Sequence, residues 1–148
     1  MFTTLQTHAQ NLQPLSRALF RMMLSGIFIV AGLNHLIAPG PTAARLESSP
    51  MSFMATALAP PETLVLLSGV ALFIGGLALL TGFYTRAAAL GLLALIIPIT
   101  LTVQVGSLAT MGPLFKNVGL SGGLLFFIAH GADVFAVDAL RKRASSPR

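Results

Sequence analysis

No cysteine occurs in this chain. Disulfides, thiolate metal sites, persulfide chemistry and dithiol relays are therefore excluded for it acting alone. Charge is nearly as scarce. Only 9% of the 148 residues are Asp, Glu, Lys or Arg, where a soluble domain carries about a quarter. A surface so poor in charge cannot face water all round. With 55% hydrophobic residues and a mean hydropathy of +0.84, much of it must face lipid, and the length allows one compact bundle of spans. Neither a nucleotide-binding glycine loop nor a nucleophile elbow is present. The three histidines fall on separate segments, two of them near opposite membrane faces, so they cannot meet around an ion. No metal, haem or flavin site is evident. The net charge of +5 is the one feature that would suggest nucleic acid, but most of the cations flank apolar segments, which is the pattern of membrane topology. No nucleic-acid partner is expected.

What is present is a succession of four apolar segments. They run from about Arg17 to Ile37, Glu62 to Tyr84, Thr85 to Leu108 and Phe115 to Val137. Each is close to the ~20 residues that cross ~30 Å of hydrocarbon as a helix, and lipid cannot satisfy the backbone of any other single-segment structure. Pro98 predicts a local kink in the third span. Residues 1–16 lack a charged start and an apolar core, so they read as a polar N-terminal tail rather than a signal peptide. Residues 141–148 form a basic C-terminal tail. The fold class expected is an all-α integral membrane four-helix bundle over residues 17–140.

Lysine and arginine set the orientation. With four spans, Arg17, Arg21, Arg86, Arg141, Lys142, Arg143 and Arg148 share one side, and only Arg45 and Lys116 lie on the other. Such an excess marks the cytoplasmic side, so both termini are expected in the cytoplasm and the protein in a bacterial inner membrane, as a multi-pass protein. The one long connection, Ala38 to Pro61, is bounded by "APGP" and "APPE". It is expected as a periplasmic loop or short interfacial helix packed over the bundle, with a lid over an outward-facing pocket as the alternative.

Turning each helix by ~100° per residue places the polar groups. Arg17, Arg21, Phe28, Gly32 and His35 share a stripe on the first helix, and Arg86, Leu90, Leu93, Ile97 and Gln104 share one on the third. On the fourth, Gly119, Gly122, Gly123, Phe126, His130 and Asp133 fall on one broad face, with Asn117 opposite. If these seams face one another, two clusters result. The cytoplasmic cluster holds Arg17, Arg21, Arg86, His130 and Asp133. A carboxylate near a helix C-terminus is poorly placed against the macrodipole, so Asp133 should take Arg21 or Arg86 as its partner. That cluster either pins helices together or carries protons through His130 and Asp133. The outward cluster holds Asn34, His35 and Gln104, with Lys116 or Asn117 at its rim. It is either structural or a place where His35 donates to a ligand carbonyl, as quinone carbonyls are bound. Close helix approach in lipid needs small residues; Gly75 and Gly76 on the second span, and Gly119, Gly122 and Gly123 on the fourth, mark contacts within one bundle or between protomers of a homo-oligomer.

Three stretches in this order resemble one family. "RALFRMMLSGIFIVAGLNHLIAPG" resembles the opening helix of the DoxX family of small bacterial membrane proteins. "GGLALLTGFYTRAAALGLLAL" is similar to that family's link between second and third helices, with its G-x-x-T-R turn at Gly82 to Arg86. "GADVFAVDAL" is similar to the closing element, with Asp138 at the aspartate position and a valine-alanine context in place of the usual serine. The resemblance implies links to thiosulfate:quinone oxidoreduction or to oxidoreductase and metallophore-related membrane systems, and supplies no catalytic residue. Together these readings lead to an expectation of a membrane subunit of a quinone-linked electron-transfer (oxidoreductase) system. Asn34, His35 and Gln104 would hold the quinone, and a redox partner would act with it, since the chain has no evident redox group of its own. The alternative is a non-catalytic accessory subunit docking its glycine faces onto other membrane protein subunits. A small-molecule carrier ranks behind both, because no inverted repeat is visible.

Overall fold

The structure, a computed structural model, describes residues 2–106 and 108–145. Arg148, counted above with the basic side, lies outside the described residues. Helices α1 (Phe2–Ile37), α2 (Pro39–Glu47), α3 (Ser52–Thr56), α4 (Pro61–Thr81), α5 (Thr85–Val103), α6 (Met111–His130) and α7 (Val137–Ser145) follow one another. A 3-10 turn, Leu108–Thr110, precedes α6, and no strand occurs among the described residues. Four stretches are long and apolar enough to cross a bilayer: Leu12–Ile37, Pro61–Thr81, Thr85–Val103 and Leu108–His130. The protein is an all-helical, multi-pass membrane protein.

The spans differ from the expected ones at their ends. At ~1.5 Å per residue α1 is about 54 Å long, well over the ~30 Å of hydrocarbon. Its first turns therefore project beyond the membrane, and it runs unbroken through the residues expected as a tail. The third span stops at Val103, not Leu108. The fourth ends at His130, seven residues before Val137, because Gly131 takes φ +72 and turns the chain out of the helix. Asp133 consequently sits in the loop after α6 and not on its face.

Sequence neighbours pack as spatial neighbours: α1 on α4, α4 on α5, α5 on α6, with α6 touching α1 lightly to close the bundle. The α1–α4 contact is backbone against backbone. A Cβ built on Gly32 would lie 2.6 Å from the Phe73 amide nitrogen and 2.8 Å from the Gly69 carbonyl oxygen. Gly76 receives Ile29, and Gly75 receives Leu92 of α5. Between these seams Leu24, Phe28, Leu72, Leu79, Leu92, Ile96, Leu124 and Phe127 form the core.

Helix α6 is rotated from the expected orientation. Its inward face carries Asn117, Gly123, Leu124 and Phe127, while Gly119 and Gly122 have open space around them. The reason is chemical: Asn117, only 5% exposed, donates to Thr100 Oγ1 of α5 at 2.9 Å, and an amide turned to lipid would have no partner. Bulky Leu124 and Phe127 fill the core better than glycine would. Gly123 alone of that glycine group packs inside, against Phe20 and Leu24. The 38–60 connection lies over the far end, with Ala43 and Leu46 of α2 buried against α4 and with α3 touching α5. Phe53, Met54 and Leu58 remain exposed.

Replacing Gly32 by alanine should force α1 and α4 apart. Overpacking of this kind costs about 1–3 kcal/mol, so unfolding in detergent should begin at lower temperature. Alanine at Gly26, around which nothing lies within 4 Å, is the matched control and should leave the transition in place.

Candidate functional site

The basic end of the bundle is organised around the α4–α5 turn. Gly82 ends α4 with φ +68, and the Gly82 and Phe83 amides close back on the carbonyls of Leu79 and Ala78, the glycine-terminated helix end expected where a left-handed residue is needed. Space demands glycine as well: a Cβ here would lie 2.4 Å from Ala136 Cβ and 2.7 Å from Arg21 Nη1. The next residue but one, Tyr84, is also left-handed, at φ 45, which costs a non-glycine residue roughly 1–2 kcal/mol.

Asp138 of α7 holds that turn. Its Oδ1 accepts from the Tyr84 amide, and its Oδ2 accepts from both the Thr85 amide and the Thr85 hydroxyl, each at 2.8 Å. It thus caps the start of α5 from another helix, where a carboxylate is favoured by the helix dipole. Burial works to raise the Asp138 carboxyl. The hydrogen bonds from Thr85 and Tyr84, with the Arg141 charge beside it, overcome that and hold it below its ordinary value of 3.8. Arg141 is itself fixed: its guanidinium lies 4.8 Å from the Tyr84 ring centroid and donates to the Tyr84 hydroxyl at 3.3 Å.

Three arginines hold the chain that leaves α6. Arg17 pairs with Asp133 at 2.5 Å, both side chains about two-fifths exposed. Arg21, 1% exposed, donates to the Phe135 carbonyl at 2.5 Å and to the Val134 carbonyl at 3.4 Å, while its Nε has no partner among the described residues. Arg86 donates to the Ala129 carbonyl at 3.1 Å, one of the carbonyls left open where α6 ends. The partner of Asp133 is therefore Arg17, and neither Arg21 nor Arg86 as expected. Arg21 does reach the same loop, but it meets the Val134 and Phe135 backbone carbonyls there, which take the place of a carboxylate. His130 is exposed; its Nδ1–H donates to the Phe126 carbonyl at 2.9 Å, and its ring stacks on Phe126. No hydrogen bond joins His130 to Asp133 among the described residues.

Between the start of α5, the Gly131–Ala132 turn and α7 lies a cavity of about 420 Å³. Arg86, Arg141 and Lys142 contribute its cations, Asp138 its one carboxylate, and Tyr84 an aromatic wall.

At the far end the expected trio is dispersed. Asn34 is exposed to the surroundings. His35 is half-buried on the α1–α4 seam, its Nδ1 3.0 Å from Ser68 Oγ. The Ser68 proton goes to the Val65 carbonyl, so Ser68 can only accept and His35 Nδ1 must carry the hydrogen. In the neutral ring Nε2 is then an acceptor, not the donor expected for a ligand carbonyl. Gln104 closes α5, where its backbone carbonyl accepts from Thr110; its side-chain oxygen is buried without a partner among the described residues.

The DoxX family model matches residues 16–105. The chain belongs to the DoxX family. These are small membrane proteins, and the matched stretch contains Arg17, Arg21, His35, Gln104 and the Gly82 to Arg86 turn. It stops short of α6, so Asp133 and Asp138, which complete the basic end, lie beyond it. No curated protein matches the chain, and neither does any solved structure. Sequence reasoning placed Asp138 only by resemblance and overlooked Thr85 and Tyr84 as its partners. The usable signal was the pairing of a left-handed turn, G-x-x-T-R, with an isolated aspartate at the end of the bundle.

Because the folded Asp138 carboxyl is more acidic than the unfolded one, its contribution is fully present above the ordinary value and lost as pH falls through the folded value. Asp138→Asn should therefore lower stability by about 2 kcal/mol near neutral pH. Thermal unfolding in detergent should show a wild-type advantage that is constant down to roughly pH 4 and closes below it. An advantage undiminished at pH 3 would show that the carboxylate charge is not its source.

Proposed function

We propose that this family member is the membrane subunit of a quinone-linked electron-transfer system of a bacterial inner membrane, with both termini cytoplasmic and a redox partner to pass electrons on. The bundle's part is to bind and orient the quinone head group at the end opposite the Arg17, Arg21 and Arg86 cluster. What supports this most directly is an orphaned atom: Gln104 Oε1 is buried with no hydrogen-bond partner among the described residues. Such an atom costs roughly 1–3 kcal/mol unless a ligand meets it. His35, steadied by Ser68 on the α1–α4 seam, has a separate acceptor in Nε2. An acceptor at either place suits a hydroxyl of the reduced, hydroquinone form, while the Gln104 amide hydrogens suit a carbonyl. A quinone supplies two-electron, two-proton chemistry when bound. The chain's own contribution is hydrogen bonding, with His35 Nε2 as the group able to take a proton.

Extraction of quinone from protein purified out of its native membrane should return a near-stoichiometric amount. His35→Ala and Gln104→Ala should each reduce it about tenfold. Wild-type protein devoid of quinone would remove the reading.

One observation favours a second reading, an accessory subunit without ligand chemistry. Gly119 and Gly122 of α6 face outward with nothing within 4 Å, beside exposed Phe115, Val118 and Leu125. Small residues of this kind admit a second helix closely. On that reading the same purification returns no quinone, and a second membrane subunit stays bound in its place.

A further inference from the structure

The cavity at the basic end has no part in the quinone reading, which concerns the opposite end of the bundle, yet it is the more fully built of the two. Its charges do not cancel. The single carboxylate on its wall, Asp138, accepts from Tyr84 and Thr85 and lies beside the Arg141 charge, which leaves Arg86 without a carboxylate of its own among the described residues. Two of these cations are held in place before any ligand arrives. Arg86 is anchored through Nη2 on the Ala129 carbonyl, and Arg141 is stacked on the Tyr84 ring and bonded to its hydroxyl. Each anchor uses one N–H of a guanidinium that carries five donors, so most of the donors remain. Gly131 leaves room for the Arg86 side chain, since a Cβ there would come within 3.3 Å of Arg86 Nε.

The wall nearest α5 adds to this. Asp138 takes the Tyr84 and Thr85 amides, and the Ala88 amide closes on the Tyr84 carbonyl, which leaves the Arg86 and Ala87 amides of the first turn without an intrahelical acceptor. Phe83, Tyr84 and Leu140 are exposed beside the cavity, an apolar setting suited to the boundary between hydrocarbon and water.

We infer that this cavity binds a phosphate-bearing ligand, with the phosphate seated by Arg86, Arg141 and Lys142. Clustered, pre-positioned guanidinium groups match the geometry of phosphate oxygens, and about 420 Å³ accommodates a phosphodiester with the small polar group attached to it. Two sources present that chemistry: the head group of an anionic phospholipid, and a soluble phosphoester.

The test uses the full chain in mild detergent and measures binding of short-chain phosphatidylglycerol, glycerol 3-phosphate and short-chain phosphatidylcholine. Phosphatidylglycerol should bind, and phosphatidylcholine, whose phosphate is offset by a quaternary ammonium, should bind at least tenfold more weakly. Arg141→Gln and Lys142→Gln should each weaken phosphatidylglycerol by roughly tenfold. Arg143→Gln, which removes the same charge outside the cavity, should leave it unchanged. If Arg141→Gln unfolds through loss of its Tyr84 contact, Lys142→Gln still decides. Glycerol 3-phosphate binding as tightly as the lipid would assign the site to a soluble phosphoester; markedly weaker binding would assign it to the head group. Equal loss with Arg143→Gln, or no preference over phosphatidylcholine, would overturn the inference in favour of diffuse charge attraction.

Discussion

A guanidinium cannot be taken out of water unless polar atoms close around it, because burying an unpaired charge costs several kcal/mol. Arg21 is 1% exposed, and the atoms that close around it come from the backbone of the loop after α6. That requirement propagates through the basic end. The Phe135 carbonyl reaches Arg21 with Phe135 itself left-handed, at φ 49. Ala136 of the loop so held, with the guanidinium beside it, then lies so near the α4 terminus that residue 82 has no room for a side chain. Gly82 in turn gives its carbonyl to the Asp138 amide, which seats α7 with its carboxylate over the start of α5. One buried cation, together with the loop it holds, thus accounts for a glycine, a strained aromatic and the position of an aspartate far away in sequence.

The strained residues support the same account. The only non-glycine residues with positive φ among those described are Tyr84 and Phe135. Each is held by a charged group, Asp138 for one and Arg21 for the other. Strain of this kind persists only where surrounding contacts over-determine it. The conspicuous ion pair, Arg17 with Asp133, does less: both partners are substantially exposed, and such pairs contribute about 0–1 kcal/mol. Its position outside Arg21 suits a latch on the loop rather than its anchor.

The four spans and the asymmetry of the cations were legible in the sequence because lipid imposes both: a span has a minimum length, and arginine gathers at its ends. The rotation of α6 was not. In water the buried face of a helix is apolar and the other polar, but in lipid both faces are apolar and periodicity loses its meaning. The glycine face of Gly119 and Gly122 then looked like the inner one, when Asn117 and its bond to Thr100 decide the matter. Asp133 was misplaced for a different reason. Apolar residues continue through "HGADVFAV" with no proline to stop a helix, and only the positive φ at Gly131 ends it before Asp133. His35 and Gln104 were recognised as polar residues near one end of the bundle, yet helical turning alone could not tell that His35 binds to α4 through Ser68 while Gln104 closes α5.

The central claim is that the buried Arg21, and not the exposed Arg17–Asp133 pair, fixes the basic end. The direct measurement compares thermal unfolding of Arg21→Met and Arg17→Gln in one detergent. Methionine keeps much of the volume but leaves the Phe135 carbonyl unpaired, so Arg21→Met should cost about 1–3 kcal/mol, and Arg17→Gln less than about 1 kcal/mol. Equal losses, or a larger loss from Arg17→Gln, would contradict the account.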